Sequence, residues 1–217
     1  DSIVIFHDFI DASRNLCWGY SIVDLTKDSG RGEVIMSNVI VRKRFNPTMS
    51  IVKHANSLDY WILGTSDSFS AFAYHFSNKG LNPTPVLSSG VFNDYLLKNG
   101  SYDFVNSWAC QAPFVPTWDS KQIIVTGLTK WRHATACALI YDFDNSTGKI
   151  TNPQELFKRS NLINKTEYTT QKAAVSPNDS FIYLGVVHPN CLGTLGSNDF
   201  ACFYQINRFT KTKVLLK

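Results

Sequence analysis

The stretch "DYWILGTSDSFSAFAYHFSNKGL", residues 59–81, decides the fold of this chain. Two apolar runs rich in aromatic side chains flank a short polar connector, and the stretch closes on Asn-Lys-Gly. Aromatic and β-branched side chains lose less freedom in a pleated strand than in a helix, and small polar residues favour tight connections. The stretch therefore predicts a β-hairpin followed by a second turn.

The same pattern recurs twice further along the chain, in "KQIIVTGLTKWRHATACALIYDFDNSTGKI" from 121 and in "SFIYLGVVHPNCLGTLGSNDFACFYQINRF" from 180. The polar turns that open these stretches align at Asn56, Asp119 and Asn178, which lie 63 and 59 residues apart. Asn, Asp and Ser side chains bond their own backbone and tolerate left-handed conformations. We therefore assign these three residues a structural role in hairpin turns.

The second strand of each stretch also repeats, with Tyr74, Tyr141 and Tyr204 aligned at spacings of 67 and 63 residues. Polar turns follow the first two of these strands, and they contain Gly80 and Gly148. Glycine adopts a positive φ without strain, so both residues are predicted turn positions.

A unit of about 60 residues with three or four short strands cannot bury both faces of its own small sheet. Sheets stacked face to face around an axis solve this problem, and they form a β-propeller. The sequence thus predicts an all-β fold, a propeller of about four blades in which the first blade is incomplete, so that the chain is part of a larger propeller. The predicted blades span residues 2–41, 49–90, 112–157 and 172–217.

Four motifs carry a resemblance to a known family: "YSIVDL", "HAN…DYW", "YDFD…TG" and "VSPN…IY". In order and spacing they resemble the propeller-like (WD40/YVTN-like) region of large secreted surface proteins of Bacteroidota associated with gliding motility and type IX secretion. Here Asn-Asp-Ser replaces the Asp-Gly turn that usually follows Ser-Pro. The resemblance implies an extracellular or cell-surface location and a role in binding or display, and it supplies no catalytic residue.

The leading functional hypothesis is a non-catalytic propeller module that binds a protein or a glycan through the loops of one face. The predicted loop face comprises residues 90–113, 127–135 and 187–200. Aromatic and basic residues in connectors suit such a surface better than those in strands, where rings usually pack in the core. The candidate binding residues are Trp108, Trp131, Arg132 and His133. The remaining blades of the same polypeptide are the other predicted partner.

The alternative hypothesis is a propeller glycoside hydrolase or lyase, whose two carboxylates would converge from different blades. The acids beside strand runs that could meet in this way are Asp8, Asp24, Asp59 and Glu167. A third hypothesis, an intracellular scaffold, would keep all five cysteine thiols reduced. Cys191 and Cys202 flank one connector and could form a disulfide in an oxidising compartment.

No metal or cofactor is predicted. The five histidines do not fall at a metal-helix spacing, and none of the common nucleophile, zinc-protease or phosphate-loop motifs occurs. The segment "DFDNSTG", residues 142–148, imitates a calcium loop, but Gly148 is seventh where an EF-hand has its glycine sixth, and Pro153 is twelfth in place of glutamate. A hairpin turn is the better interpretation of this segment.

The charge and the hydropathy exclude two further classes of partner. The formal net charge of +4 is modest and the basic residues are scattered, so no nucleic-acid partner is predicted. No apolar stretch approaches the roughly 20 residues that a membrane helix needs, so no membrane span is predicted.

Overall fold

The structure of the chain is a computed structural model. It describes residues 1–14, 16–43, 49–65, 70–89, 114–128, 135–160, 169–187 and 202–216. Apart from one 3-10 turn, Asp28–Gly30, every regular element in these ranges is a β-strand. The chain divides into two compact units, Asp1–Pro47 and Thr48–Lys217.

The first unit is a three-stranded antiparallel sheet with the strands in sequence order. Within it Cys17 and Trp18 are buried, and the ring of Phe6 lies 6.4 Å from that of Trp18. The strands of this first sheet are β1 (Ser2–Ile10), β2 (Leu16–Asp24) and β3 (Glu33–Lys43).

The second unit contains three antiparallel sheets, each built from strands that are consecutive in the chain. The second sheet comprises β4 (Ser50–Lys53), β5 (Tyr60–Thr65), β6 (Ala71–Ser77), β7 (Gly80–Leu81) and β8 (Val86–Ser88). The third sheet comprises β9 (Val115–Pro116), β10 (Gln122–Leu128), β11 (Thr135–Asp144) and β12 (Lys149–Ser160). The fourth sheet comprises β13 (Thr169–Val175), β14 (Phe181–Val187), β15 (Cys202–Asn207) and β16 (Lys213–Leu216).

The third sheet is buried on both faces, because alternate residues of its strands belong to two different hydrophobic clusters. Ile123 and Leu139 pack with Trp61 and Leu63 of the second sheet. On the opposite face, Ile124 packs with residues of the fourth sheet, including Ile182 and Leu184. Burying one such side chain contributes about 1.5–3 kcal/mol, so the sheets of the second unit are stabilised chiefly by their neighbours.

Within the second unit, small antiparallel sheets stack face to face with a hydrophobic layer between neighbours, and this is the packing of a β-propeller. The fold class predicted from the sequence, an all-β propeller, is therefore confirmed. The described residues contain no helix long and apolar enough to span a bilayer.

The pairing of the strands corrects one predicted alignment. With the strand starts Tyr60 and Ile123 aligned, Ile62 pairs with Tyr74, whereas Val125 pairs with Leu139. Leu139 is therefore the equivalent of Tyr74, and the alignment of Tyr141 with Tyr74 is wrong by two residues. A shift of two residues keeps every side chain on its own face of the sheet, so the apolar pattern fits both registers equally well.

The three turns that open the repeated stretches share one backbone conformation. In each turn the first carbonyl accepts a hydrogen bond from the fourth N–H, as in the 2.9 Å bond from Ser120 N to Thr117 O. The fourth residue is left-handed in all three turns, with φ of 64°, 57° and 58° at Ser57, Ser120 and Asp179. Asn56, Asp119 and Asn178 occupy the third position, where a side-chain oxygen accepts N–H groups from later in the turn.

Candidate functional site

The turns at 54–59, 117–121 and 176–180 share one end of the second unit, which we call the turn end, because hydrogen bonds join the turns of neighbouring sheets there. Apart from a few strand-end residues, the predicted loop face at 90–113, 127–135 and 187–200 lies outside the described residues. The same holds for Trp108, Trp131, Arg132, His133, Glu167, Cys191 and the side chain of Cys202.

The turn end brings together His54, Asp59 and His75, which sequence reasoning did not group. One potential ligand atom of each residue lies within 4.8 Å of one from the other two. Asp59 Oδ2 is 3.0 Å from His75 Nε2, and it accepts a 2.9 Å hydrogen bond from Asn56 Nδ2. His54 Nδ1 accepts a 3.0 Å hydrogen bond from the backbone N–H of Asn56. We refer to His54, Asp59 and His75 as the histidine cluster.

Local structure explains why these three residues meet. His54 and Asp59 are the first and last residues of one turn, and the N–H of His54 donates to the carbonyl of Asp59 at 2.9 Å. Antiparallel pairing places His75 of β6 opposite Trp61 of β5, two residues from Asp59. Once the turn and this register form, the cluster is assembled within a single sheet.

Trp61 holds the histidine cluster against the third sheet. Its ring centroid lies 5.5 Å from that of His54 and 5.1 Å from that of His75. Its indole N–H donates a 2.8 Å hydrogen bond to the carbonyl of Asn145, which also accepts the N–H of Ala55 at 3.0 Å. Trp61 is only 5% exposed, so its indole ring is held in place where it packs against the two imidazoles.

An open cleft of about 450 Å³ adjoins the cluster. Asp59 and His75 form one side of it, and the remaining lining comes from the following turn and strand: Ser77, Asn78, Lys79, Gly80, Leu81 and Asn82. Gly80 sits there with φ of 95° and with open space where a Cβ would point. Carboxylate, imidazole, amide, hydroxyl and ammonium groups thus surround one solvent-filled space.

The cluster has the components of a hydrogen-bonded carboxylate and imidazole pair, but it does not form a nucleophile site. Among the described residues, no hydroxyl or thiol is hydrogen-bonded to His54 or His75. A nucleophilic serine or cysteine requires such a contact with its base. The arrangement is better suited to binding, through nitrogen and oxygen lone pairs and through N–H donors.

A second charged group at the turn end consists of Arg208, Asp119, Asp179 and Gln122. The guanidinium of Arg208 donates to Asp119 Oδ2 at 2.9 Å and to Gln122 Oε1 at 2.7 Å, and its Nη1 lies 3.6 Å from Asp179 Oδ2. Asp179 also accepts the backbone N–H groups of Trp118 and Asp119 at 2.8 and 2.7 Å. These contacts join the third and fourth sheets, so we call the group the arginine latch.

The carboxylates of the arginine latch are committed to charged partners. Burial would raise the pKa of the Asp119 carboxyl, but hydrogen bonds from Thr117 and Arg208 bring that pKa below its ordinary value. Asp119 and Asp179 therefore hold Arg208 and the turns of the third and fourth sheets together.

Three of the four acids of the enzyme hypothesis, Asp8, Asp24 and Asp59, lie in the described residues. Asp24 accepts hydrogen bonds from the N–H and hydroxyl of Thr26, which lower its pKa, and Asp59 is held by Asn56 and His75. Burial raises the pKa of Asp8.

The segment at 142–148 forms a hairpin turn. Asp144 accepts hydrogen bonds from the backbone and hydroxyl groups of Ser146 and Thr147, and these bonds lower its pKa to about 2. Gly148 closes the turn with φ of 77°, and a Cβ there would lie 2.8 Å from the ring of Trp61. The oxygens of Asp144 and Ser146 that suggested a calcium loop are therefore used by the turn itself, and those of Asp142 accept hydrogen bonds from Gln122 and Asn152.

No protein-family model matches the chain, and no curated protein sequence matches it. Solved structures similar in fold include a candidate 6-phosphogluconolactonase from Bacteroides fragilis, at 9% identity and a TM-score of 0.47. The match covers 99% of this chain and 54% of that one. TolB from Acinetobacter baumannii has 13% identity and a TM-score of 0.43, with coverage of 100% of this chain and 44% of that one.

The β-propeller domain of Nup133 from Vanderwaltozyma polyspora has 9% identity and a TM-score of 0.47, with coverage of 100% of this chain and 63% of that one. The chain thus spans about half the length of the structures that it resembles. At identities this low the likeness concerns the backbone fold and does not extend to activity.

Proposed function

We propose that the chain is a non-catalytic propeller module that binds a polar ligand in the cleft beside the histidine cluster. The observation that carries the proposal is the lining of this cleft, where donors and acceptors converge around a single carboxylate, Asp59. Hydrolysis of a glycosidic bond needs two carboxylates, whereas recognition of a polar molecule needs a few directed hydrogen bonds.

The ligand that fits best is the end of a glycan. A volume of about 450 Å³ accommodates a small ligand. The amide, hydroxyl and ammonium groups of Asn78, Ser77 and Lys79 match the hydroxyl and acidic groups of a sugar. A protein partner would favour an apolar centre with large aromatic anchors, and the residues that line this cleft include no Phe, Tyr or Trp.

A glycan array probed with the labelled chain tests this proposal. We expect binding to a subset of glycans, weakened about tenfold or more by Lys79→Ala and unchanged by Lys172→Ala, an exposed lysine of the fourth sheet that does not line the cleft. Absence of binding to every glycan, or equal binding by both variants, would contradict it. Release of reducing sugar ends from a bound glycan, lost in Asp59→Asn, would instead establish the hydrolase alternative.

We also propose that the chain functions outside the cell, as part of a surface protein of the kind that its sequence motifs resemble. This proposal rests on that resemblance alone. Peptide mapping of the unreduced native protein tests it. We expect a Cys191–Cys202 disulfide, whereas five reduced thiols would favour the intracellular scaffold.

A further inference from the structure

We infer that the histidine cluster binds a divalent transition-metal ion of the zinc type, which goes beyond the proposed recognition of a glycan. Two imidazoles and one carboxylate are a ligand set suited to Zn²⁺, Co²⁺ and Ni²⁺, whereas Ca²⁺ and Mg²⁺ prefer sites made only of oxygen.

The distances within the cluster are those of ligands around one ion. Ligand atoms about 2.1 Å from a zinc-type ion are separated by roughly 3.0–3.4 Å, depending on the coordination geometry. Asp59 Oδ2 and His75 Nε2 are 3.0 Å apart, and the ligand atom of His54 lies within 4.8 Å of both. A side-chain movement of at most about 1.4–1.8 Å by His54 brings all three atoms to bonding distance.

The fold does not require these three residue types, as its own repeats demonstrate. Thr117 and Ser176 occupy the turn position of His54, and both turns close with the same backbone hydrogen bonds. The pairings of β10 with β11 and of β14 with β15 give the other equivalents. Asp59 corresponds to Gln122 and Phe181, and His75 corresponds to Ile140 and Gln205. Among the second, third and fourth sheets, ligand-type side chains therefore coincide at all three positions in the second sheet alone.

The surroundings of the cluster suit a metal centre with an open position. Trp61 packs beneath both imidazoles and limits their movement, which preorganises the ligands. Asp59 and His75 face the cleft, so the ion would be reached from solvent and would keep coordination positions for water or for a ligand oxygen. Three protein ligands with an open side are typical of reactive or ligand-binding zinc sites.

Substitutions taken from the other sheets give a direct test. His54→Thr, Asp59→Gln and His75→Gln each install a residue that an equivalent position already has, at Thr117, Gln122 and Gln205. His7→Gln is the matched control, because His7 lies in the first sheet and bonds Ser21. Far-UV circular dichroism and thermal unfolding establish that each variant is folded.

Zinc titration calorimetry at neutral pH, together with the visible absorption of added Co²⁺, reports the binding. We expect one Zn²⁺ per chain, an association constant at least about tenfold lower in each of the three cluster variants, and no change in His7→Gln. Failure of the folded wild-type chain to bind Zn²⁺ at millimolar concentration would overturn the inference. Wild-type affinity in His54→Thr and His75→Gln would overturn it as well, because it would place the ion elsewhere. Glycan binding repeated with a chelator present tests the proposed function separately.

Discussion

Replacement of Arg208 by methionine should destabilise the second unit more than any comparable change at an exposed lysine. The Arg208 side chain is 7% exposed, and it contacts Asp119, Asp179 and Gln122. Methionine retains most of the aliphatic stem but removes the charge and all the donors. The carboxylate of Asp179, whose side chain is 15% exposed, would then lose its cation in a largely desolvated place.

The size of the effect follows from the exposure of the three partners. Removing one member of a fully buried ion pair costs about 3–5 kcal/mol. Here the Asp119 side chain is 37% exposed, so water screens part of its charge, and Asp179 keeps its two backbone N–H donors. We therefore expect a loss of about 2–3 kcal/mol in the free energy of unfolding. For a unit of this size, that corresponds to roughly 4–12 °C in Tm.

Urea unfolding followed by far-UV circular dichroism measures the loss, with Lys172→Met as a control expected to change stability by less than about 0.5 kcal/mol. Asp119→Asn in the Arg208→Met background completes a double-mutant cycle. Since the two groups contact each other, we expect a coupling energy of about 1 kcal/mol or more. An Arg208→Met variant as stable as the control, or strictly additive effects of the two substitutions, would refute the assignment of this group as a latch between sheets.

Three further predictions concern single positions. Gly148→Ala should cost about 2–4 kcal/mol, because it combines a φ of 77° with a Cβ 2.8 Å from Trp61, whereas Gly80→Ala has open space and should cost about 1 kcal/mol by the same urea assay. The pKa of Asp144 is about 2 when folded and has its ordinary value of 3.8 when unfolded, so its carboxylate stabilises the fold fully above that value and loses this contribution as pH falls toward 2. Tm measured from pH 5 to pH 2 should therefore fall less steeply for Asp144→Asn than for the wild type. Thr126 is 2% exposed and its hydroxyl has no hydrogen-bond partner among the described residues, so Thr126→Val should raise the unfolding free energy by about 1 kcal/mol in urea.

The strands and their turns were predictable because they follow from local chemistry. Successive side chains of a strand point to opposite faces, so Ile123 and Ile124 lie on the two faces of a sheet, and both are fully buried. Asn56 and Asp119 mark turns because their side chains replace backbone acceptors, whatever the rest of the chain does. Such signals need only a few neighbouring residues, so a single sequence contains them.

The histidine cluster could not be predicted in the same way, because it depends on a register. The repeat alone places His54 and Asp59 at the two ends of one turn, and this was an available signal. His75 joins them only because β6 pairs with β5 so that His75 faces Trp61.

The arginine latch was missed for a related reason. Arg208 and Asp119 are 89 residues apart, and they meet only when two sheets stack in a particular orientation. Long-range packing of this kind depends on side-chain shape and on the direction of each sheet, neither of which appears in the apolar pattern.

The open face of the fourth sheet leads to a last prediction. Trp61 and Ile124 occupy equivalent positions on the second and third sheets, where they are 5% and 0% exposed beneath the next sheet. The equivalent residue of the fourth sheet, Tyr183, is 36% exposed, and Phe203 and Val214 on the same face are 54% and 57% exposed. We expect a further sheet of the same kind to cover this face in the working molecule. In the isolated chain, Phe203→Lys with Val214→Lys should then reduce self-association in sedimentation velocity while changing the unfolding free energy by less than about 1 kcal/mol. A larger loss of stability would mean that this face is already packed within the chain. A wild-type chain that is as monomeric as the double variant would mean that the exposed face does not drive association.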